Sequence, residues 1–196
     1  MSFTGKRAIY PLLRTVLKSR TVGAGETAAV VNDLHSGRLP SQVIFGLVEN
    51  SAFRGHRQKN PYHFRNYDIT SCQIVVNSKS YPSVRFTPKF EATLATSKIM
   101  REYAALMKGI GVNGNDAPLV THENFFEGCC LFAFDLSPDG CNNFHLHKVD
   151  RGVMNVEINF GTELPHPVTI VTYSVFSDAI EIDMDRLVYT STSIQG

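Results

Sequence analysis

The chain predicts an all-β sandwich of about eight antiparallel strands with one inserted helix. Three observations point there. From residue 153 onward apolar and polar residues alternate strictly: Met154, Val156, Ile158 and Phe160 against Asn155, Glu157 and Asn159, then Val171, Tyr173 and Val175 against Thr172 and Ser174. A third run sets Ile180, Ile182 and Met184 against Glu181, Asp183 and Asp185. A period of two is the signature of a strand with one wet face. The second observation is size: 196 residues, 43% of them hydrophobic, fill one sandwich without a second domain. The third is that one stretch alone, 96–108, repeats apolar residues at helical spacing, through Ile99, Tyr103, Leu106 and Met107.

Taken in order, residues 8–19 fit either a helix, through Leu13, Val16 and Leu17, or a strand, and Thr15, Val16, Val22 and the early Pro11 select an edge strand. Residues 23–40 read as turns around a short strand at 27–31. The apolar run 42–48 is a strand buried on both sides, and 51–65 a polar and aromatic loop. Alternation returns at 67–77 through Cys72, Ile74 and Val76, and Ser78-Lys79 turns the chain into 81–86, where Pro82 implies an edge. Thr96 or Ser97 is positioned to cap the helix and Gly109 to stop it. A long loop, 110–124, precedes the apolar run 128–136 and the turn signal Ser137-Pro138-Asp139-Gly140. Eight antiparallel strands with one inserted helix outline a single jelly-roll domain over residues 1–196. Its expected core holds Val156, Ile158, Val171, Tyr173 and Ile182, with Ile99, Tyr103 and Met107 covering the sandwich.

Charge is uneven along the chain. Residues 1–101 hold 15 Lys and Arg against 5 Asp and Glu, and residues 102–196 hold 4 against 13. That asymmetry suits complementary surfaces between subunits. The basic residues are scattered and no nucleic-acid-binding signature accompanies them, which ranks nucleic acid low as a partner. Cys129 and Cys130 are adjacent and point to opposite faces of a strand, so Cys72, Cys129, Cys130 and Cys141 are expected to be free thiols. With no Asn-x-Ser/Thr sequon, no leader and no apolar run of ~20 residues, a soluble protein from a reducing compartment and no membrane partner are expected.

Two motifs invite a chemical reading, and both fail on context. Gly109-Ile110-Gly111-Val112-Asn113-Gly114 matches G-x-G-x-x-G, yet it follows a helix where a dinucleotide fingerprint follows a strand. His145 and His147 would share a strand face near Cys141, as in a cupin-type metal site. The acid such a site needs three or four residues later is replaced by Arg151 and Gly152, and Asp150 comes one residue early. No G-x-S-x-G elbow is present. No catalytic residue, metal or cofactor is therefore assigned.

Arg38-Leu39-Pro40-Ser41-Gln42-Val43-Ile44-Phe45-Gly46-Leu47-Val48, then Lys59-Asn60-Pro61-Tyr62-His63-Phe64, Phe90, Arg101-Glu102-Tyr103, Gly128 with Phe134-Asp135-Leu136-Ser137-Pro138-Asp139, and Ile180-Glu181-Ile182-Asp183 form an ordered series. It resembles the capsid-protein-like sequences of Polinton and adintovirus-type elements, relatives of the hexon-like, double jelly-roll major capsid proteins. The resemblance spans about residues 10–187. It implies a structural role in trimers or larger assemblies, in a virion or the host-cell interior, with this chain supplying one jelly roll of two. Phe53, Arg54, Arg57, Tyr62, Phe64 and Arg65 in the 51–65 loop are of the residue types enriched at subunit interfaces and form the expected contact; Tyr62 and Phe64 would equally serve to plug the sandwich end. The alternatives are a ligand- or glycan-binding jelly roll using the 110–124 loop, and a divergent cupin-type metalloenzyme.

Overall fold

The structure, a computed structural model, describes residues 7–112, 119–137 and 151–190. Two antiparallel sheets face each other. One has the order β1 (Ala8–Val22), β8 (Val168–Ile182), β3 (Gln42–Glu49), β6 (Leu131–Asp135), with β9 (Val188–Thr190) on the end of β8. The other has the order β2 (Ala28–Arg38), β7 (Arg151–Phe160), β4 (Ile69–Val76), β5 (Lys79–Phe86). Strands 1, 8, 3, 6 opposite strands 2, 7, 4, 5 make the jelly roll that the alternation predicts.

The core forms where the inward faces meet. Val43, Phe45 and Leu47 of β3 lie with Phe132 and Phe134 of β6, against Cys72 and Ile74 of β4 and Met154, Val156 and Ile158 of β7, all buried. Phe45 stacks on Phe132 and Phe134 at 5.4 and 5.6 Å between centroids. Each such side chain contributes roughly 1.5–3 kcal/mol by leaving water.

Helix α2 (Met100–Gly109) packs along β6 and holds β5 through Arg101, which donates to the carbonyls of Arg85 and Val84. Ile99 and Leu106 are fully buried, and Tyr103 and Met107 are half-buried against the core. Phe125 of α3 (His122–Glu127) sits between Tyr103 and Phe132. Gly109 lies so close to β6 that a Cβ there would stand 2.7 Å from that of Ala133.

The structure corrects several expectations. Residues 171–182 form one strand rather than two, and its 171–175 part is phased opposite to the sequence reading, while Ile180 and Ile182 keep the phase read for them, in step with inward Phe176 and Asp178. Ile170, Thr172, Ser174, Phe176 and Asp178 are buried, whereas Tyr173 is 40% exposed and Val171 and Ile182 only half-buried. The inward polar groups are satisfied by distant partners: Thr172 Oγ1 donates to Lys18 O at 3.0 Å, and Asp178 pairs with Arg14 and Arg38, each at 3.4 Å. Strand β2 does not stop at Val31. Two extra residues bulge between Val31 and His35, with Asp33 at φ 52°, and pairing resumes to Arg38.

Thr96 and Ser97 do not cap α2. They close a 3-10 turn at Leu94–Thr96, and Ile99 precedes the helix. Gly109 is the last helical residue and Gly111 supplies the left-handed closure: Gly111 has φ 76°, with Gly111 N donating to Lys108 O and Val112 N to Met107 O, a Schellman closure. The hairpin turn is Asn77-Ser78, both left-handed at φ 47° and 67°. Part of the 110–124 loop is helical, because Thr121 caps α3 by accepting from Asn124 N at 3.1 Å. Strands β1 and β5 lie at sheet edges, as Pro11 and Pro82 indicate.

Candidate functional site

The segment joining β3 to β4 is pinned at both ends and open in the middle. Asn50, the first residue of α1 (Asn50–Phe53), donates from Nδ2 to Thr169 Oγ1 at 2.9 Å and Thr21 Oγ1 at 3.1 Å. Before it, Glu49 accepts from Ser51 Oγ at 2.5 Å and from Lys59 Nζ. Those two bonds hold the Glu49 carboxyl down at about 2. His166 stands 4.0 Å from Glu49 and 3.3 Å from the Tyr67 hydroxyl, whose pKa burial pushes up to about 12. A cleft of about 220 Å3 lies here, lined by Glu49, Ala52, Lys59, Asn60, His63 and Arg65, with Val48 behind.

Phe64 fastens the other end. Its N–H donates to Gly128 O at 2.8 Å and its carbonyl accepts from Cys130 N at 3.1 Å, a parallel bridge just before β6. Its ring covers Gly46, where a Cβ would stand 2.7 Å from it. The six predicted interface residues thus divide. Phe64 is a half-buried residue packed over Gly46 of β3. Phe53 and Tyr62 are 43% and 76% exposed, and Arg54, Arg57 and Arg65 are exposed as well. No hydrogen bond or ring contact joins Phe53, Arg54, Arg57 and Tyr62 to one another among the described residues.

The charge asymmetry is partly consumed inside the fold. Pairing of β1 with β8 brings Arg7 to Glu181 at 3.0 Å and Arg14 to Asp178, and Arg38 at the end of β2 reaches Asp178 from the other sheet. Sequence reading missed a second surface, the outward face of β1 and β8. Leu13, Leu17 and Tyr173 are 59%, 68% and 40% exposed there, and Leu17 is directly paired with Tyr173. Its signal was present in the sequence as uncharged residues at every second position from Ile9 to Thr21.

Cys72 and Cys130 are buried free thiols whose pKa values burial raises, and Cys129 is a half-buried free thiol. Among the described residues no group of three His, Cys, Asp or Glu is placed to hold a metal, and no helix is long and apolar enough to cross a membrane. Cys141, His145, His147 and Asp150 lie outside the described residues, as do Asn113 and Gly114 of the glycine motif.

The fold is a jelly roll, and the solved structures it is similar to include viral capsid chains. A chain of the quasi-atomic PBCV-1 virus capsid superposes with a TM-score of 0.54 at 9% identity, over 96% of this chain and 52% of that one. PBCV-1 VP54, fitted into a reconstruction of the virophage Sputnik, gives 0.52 at 7% identity, over 96% and 52%. The Sputnik virophage structure gives 0.50 at 12%, over 97% and 40%. In sequence the chain is 25% identical over 181 residues to the uncharacterized protein F54H12.2 of Caenorhabditis elegans, covering 90% of this chain and 42% of that protein. The chain therefore spans about half or less of each of these four proteins. No family model matches it.

Proposed function

We propose that this chain is a non-enzymatic, capsid-type jelly-roll protein, viral or virus-derived, that self-associates into trimers or larger assemblies with copies of itself or other capsid subunits. The observation that carries the reading is the superposition of 96% of this jelly-roll chain on a viral capsid chain. The coverage of about half of that chain supports a role as one sandwich of a double jelly-roll architecture. The resemblance to Polinton and adintovirus-type sequences, together with a nematode relative, supports an origin in an element carried by animal genomes. Its place of action is then the virion, or the host-cell interior where subunits assemble. Exposed Phe53, Arg54, Arg57, Tyr62 and Arg65 are contact residues in this reading, and no cofactor is required.

Light scattering on purified protein, with elemental analysis of the same sample, tests this. A stable trimer or larger species without stoichiometric metal is expected. A monomer carrying about one zinc, iron or manganese, lost on His147→Ala, would overturn it in favour of the cupin-type enzyme.

A further inference from the structure

We infer that the outward face of β1 and β8 is the surface on which this sandwich packs against a second copy of the chain; the inference rests on the assembly reading above and assigns it a surface distinct from the 51–65 loop. The argument begins with strand phase. Register pairs Pro11 with Ala179, Leu13 with Ser177, Thr15 with Val175, Leu17 with Tyr173, Ser19 with Val171 and Thr21 with Thr169, and these positions share the outward phase; Val175 and Thr169 are buried within it, and the exposed part is Pro11, Leu13, Thr15, Leu17, Ser19, Thr21 and Tyr173. None is charged. The cations of β1 occupy the alternate positions instead: Arg14 reaches Asp178 and lies over the Phe176 ring at 4.6 Å, Lys18 donates to Leu34 O, and Arg20 follows in the same phase.

This inverts the usual solvated sheet, which turns its charges outward. Inward-pointing charges on an edge strand block addition of another strand along that edge. What remains open is the face. It is depleted of charge and carries an aromatic ring and two exposed leucines at its centre, the composition of an interface core. At its far end Arg7 is held by Glu181 at 3.0 Å and stacks over Tyr189 at 4.2 Å, so the charges that border the face are already neutralised. With ~3.4 Å rise per residue, Ile9 to Thr21 spans roughly 40 Å, the length scale of an interface burying ~800 Å² per partner.

The occupant follows from the same features. A neutral face offers an anionic nucleic acid or lipid headgroup no attraction, whereas it meets its own copy without repulsion, in the self-complementary way of a two-fold interface. Sheets stacked face to face at ~10 Å are an ordinary packing. The viral capsid chains that match this sandwich carry about as much chain again outside the match, so in them the sandwich is accompanied by further mass of similar size.

The test compares the full chain with Leu13→Glu combined with Leu17→Glu, and with Arg54→Glu combined with Arg57→Glu, by sedimentation equilibrium, with thermal unfolding as a fold control. The face variant is expected to unfold like the parent and to self-associate about 100-fold more weakly. Independently, Thr15→Cys in the parent background is expected to give a disulfide-linked dimer on mild oxidation, a readout that survives if the glutamates compromise folding. A face variant that associates as tightly as the parent, without Thr15→Cys cross-linking, overturns the surface and leaves the assembly reading standing. A parent monomeric at every concentration removes the assembly reading itself and this inference with it. A monomeric parent that floats with neutral phosphatidylcholine vesicles, and loses that on Leu13→Glu with Leu17→Glu, gives the face to lipid and likewise overturns the inference.

Discussion

His35 of β2 and Ser174 of β8 are joined by a hydrogen bond across the sandwich, Nε2 to Oγ at 2.8 Å, a polar tie between the two sheets. The bulge between Val31 and His35 carries β2 past Asp33 with His35 still facing inward, where Phe176 meets the ring edge-on at 5.2 Å. Burial, with Lys18 and Arg14 nearby, lowers the His35 pKa from 6.5 to about 4.

That depression gives a pH dependence of definite sign. The fold favours neutral His35, so stability falls as pH drops below the unfolded value of 6.5, and the loss is complete near 4. The shift corresponds to about 3 kcal/mol. Urea unfolding from pH 7.5 to 4.5 is expected to show a steeper acid loss for the parent than for His35→Gln. Equal slopes would remove His35 as the group responsible.

Strand phase makes a second prediction. Ile158 is 1% exposed, so Ile158→Ala is expected to cost ~2–5 kcal/mol. Tyr173→Ala, on the exposed side of β8, is expected to cost under about 1 kcal/mol. Denaturant midpoints for the two variants decide it, and similar losses would contradict the phase described above.

The sequence made strands β7 and β4 legible because Met154, Val156, Ile158, Cys72, Ile74 and Val76 are inward, whereas in β5 Tyr81 and Val84 are exposed and Phe86 is the buried residue, so that the turn and Pro82 marked that strand. In the 171–175 part of β8 the alternation was equally clear but its meaning was reversed. Thr172, Ser174 and Asp178 point inward because Lys18 O, His35 and the Arg14 and Arg38 guanidinium groups receive them, partners more than 130 residues away that no local pattern reveals. The candidate surface was hidden for a different reason: Leu13 and Leu17 fit a helix as well as a strand in the sequence, and in the structure they stand in solvent on the outward face of β1. In the 51–65 loop residue types alone did not separate Phe64, which needs Gly46 beneath it, from Tyr62, which touches no other ring.

Two glycines at the end of α2 make a third prediction. Gly109→Ala would place a Cβ 2.7 Å from the Ala133 Cβ, which is fixed to the β6 backbone, and is expected to cost ~1–3 kcal/mol by overpacking. Gly111→Ala meets open space, but φ 76° penalises any side chain by ~1–2 kcal/mol. Thermal unfolding is expected to show both losses; a neutral Gly109→Ala would mean that α2 does not seat on β6 as described.

Salt separates steering from cohesion in assembly. In the proposed assembly, exposed Arg54 and Arg57 would steer at long range and be screened beyond ~8 Å at physiological ionic strength, whereas aromatic contacts by Phe53 and Tyr62 would not. Stopped-flow light scattering is expected to show association slowing with salt more than the finished oligomer weakens, and slower association for Arg54→Glu combined with Arg57→Glu. A double variant that assembles at the parent's rate in every buffer takes the loop out of the interface.

The most direct measurement is electron microscopy of the purified full chain at concentrations where it associates, with sedimentation on the same sample. The capsid-type account predicts closed trimers or larger rings of side-by-side sandwiches. Single sandwiches at every concentration and ionic strength would contradict it.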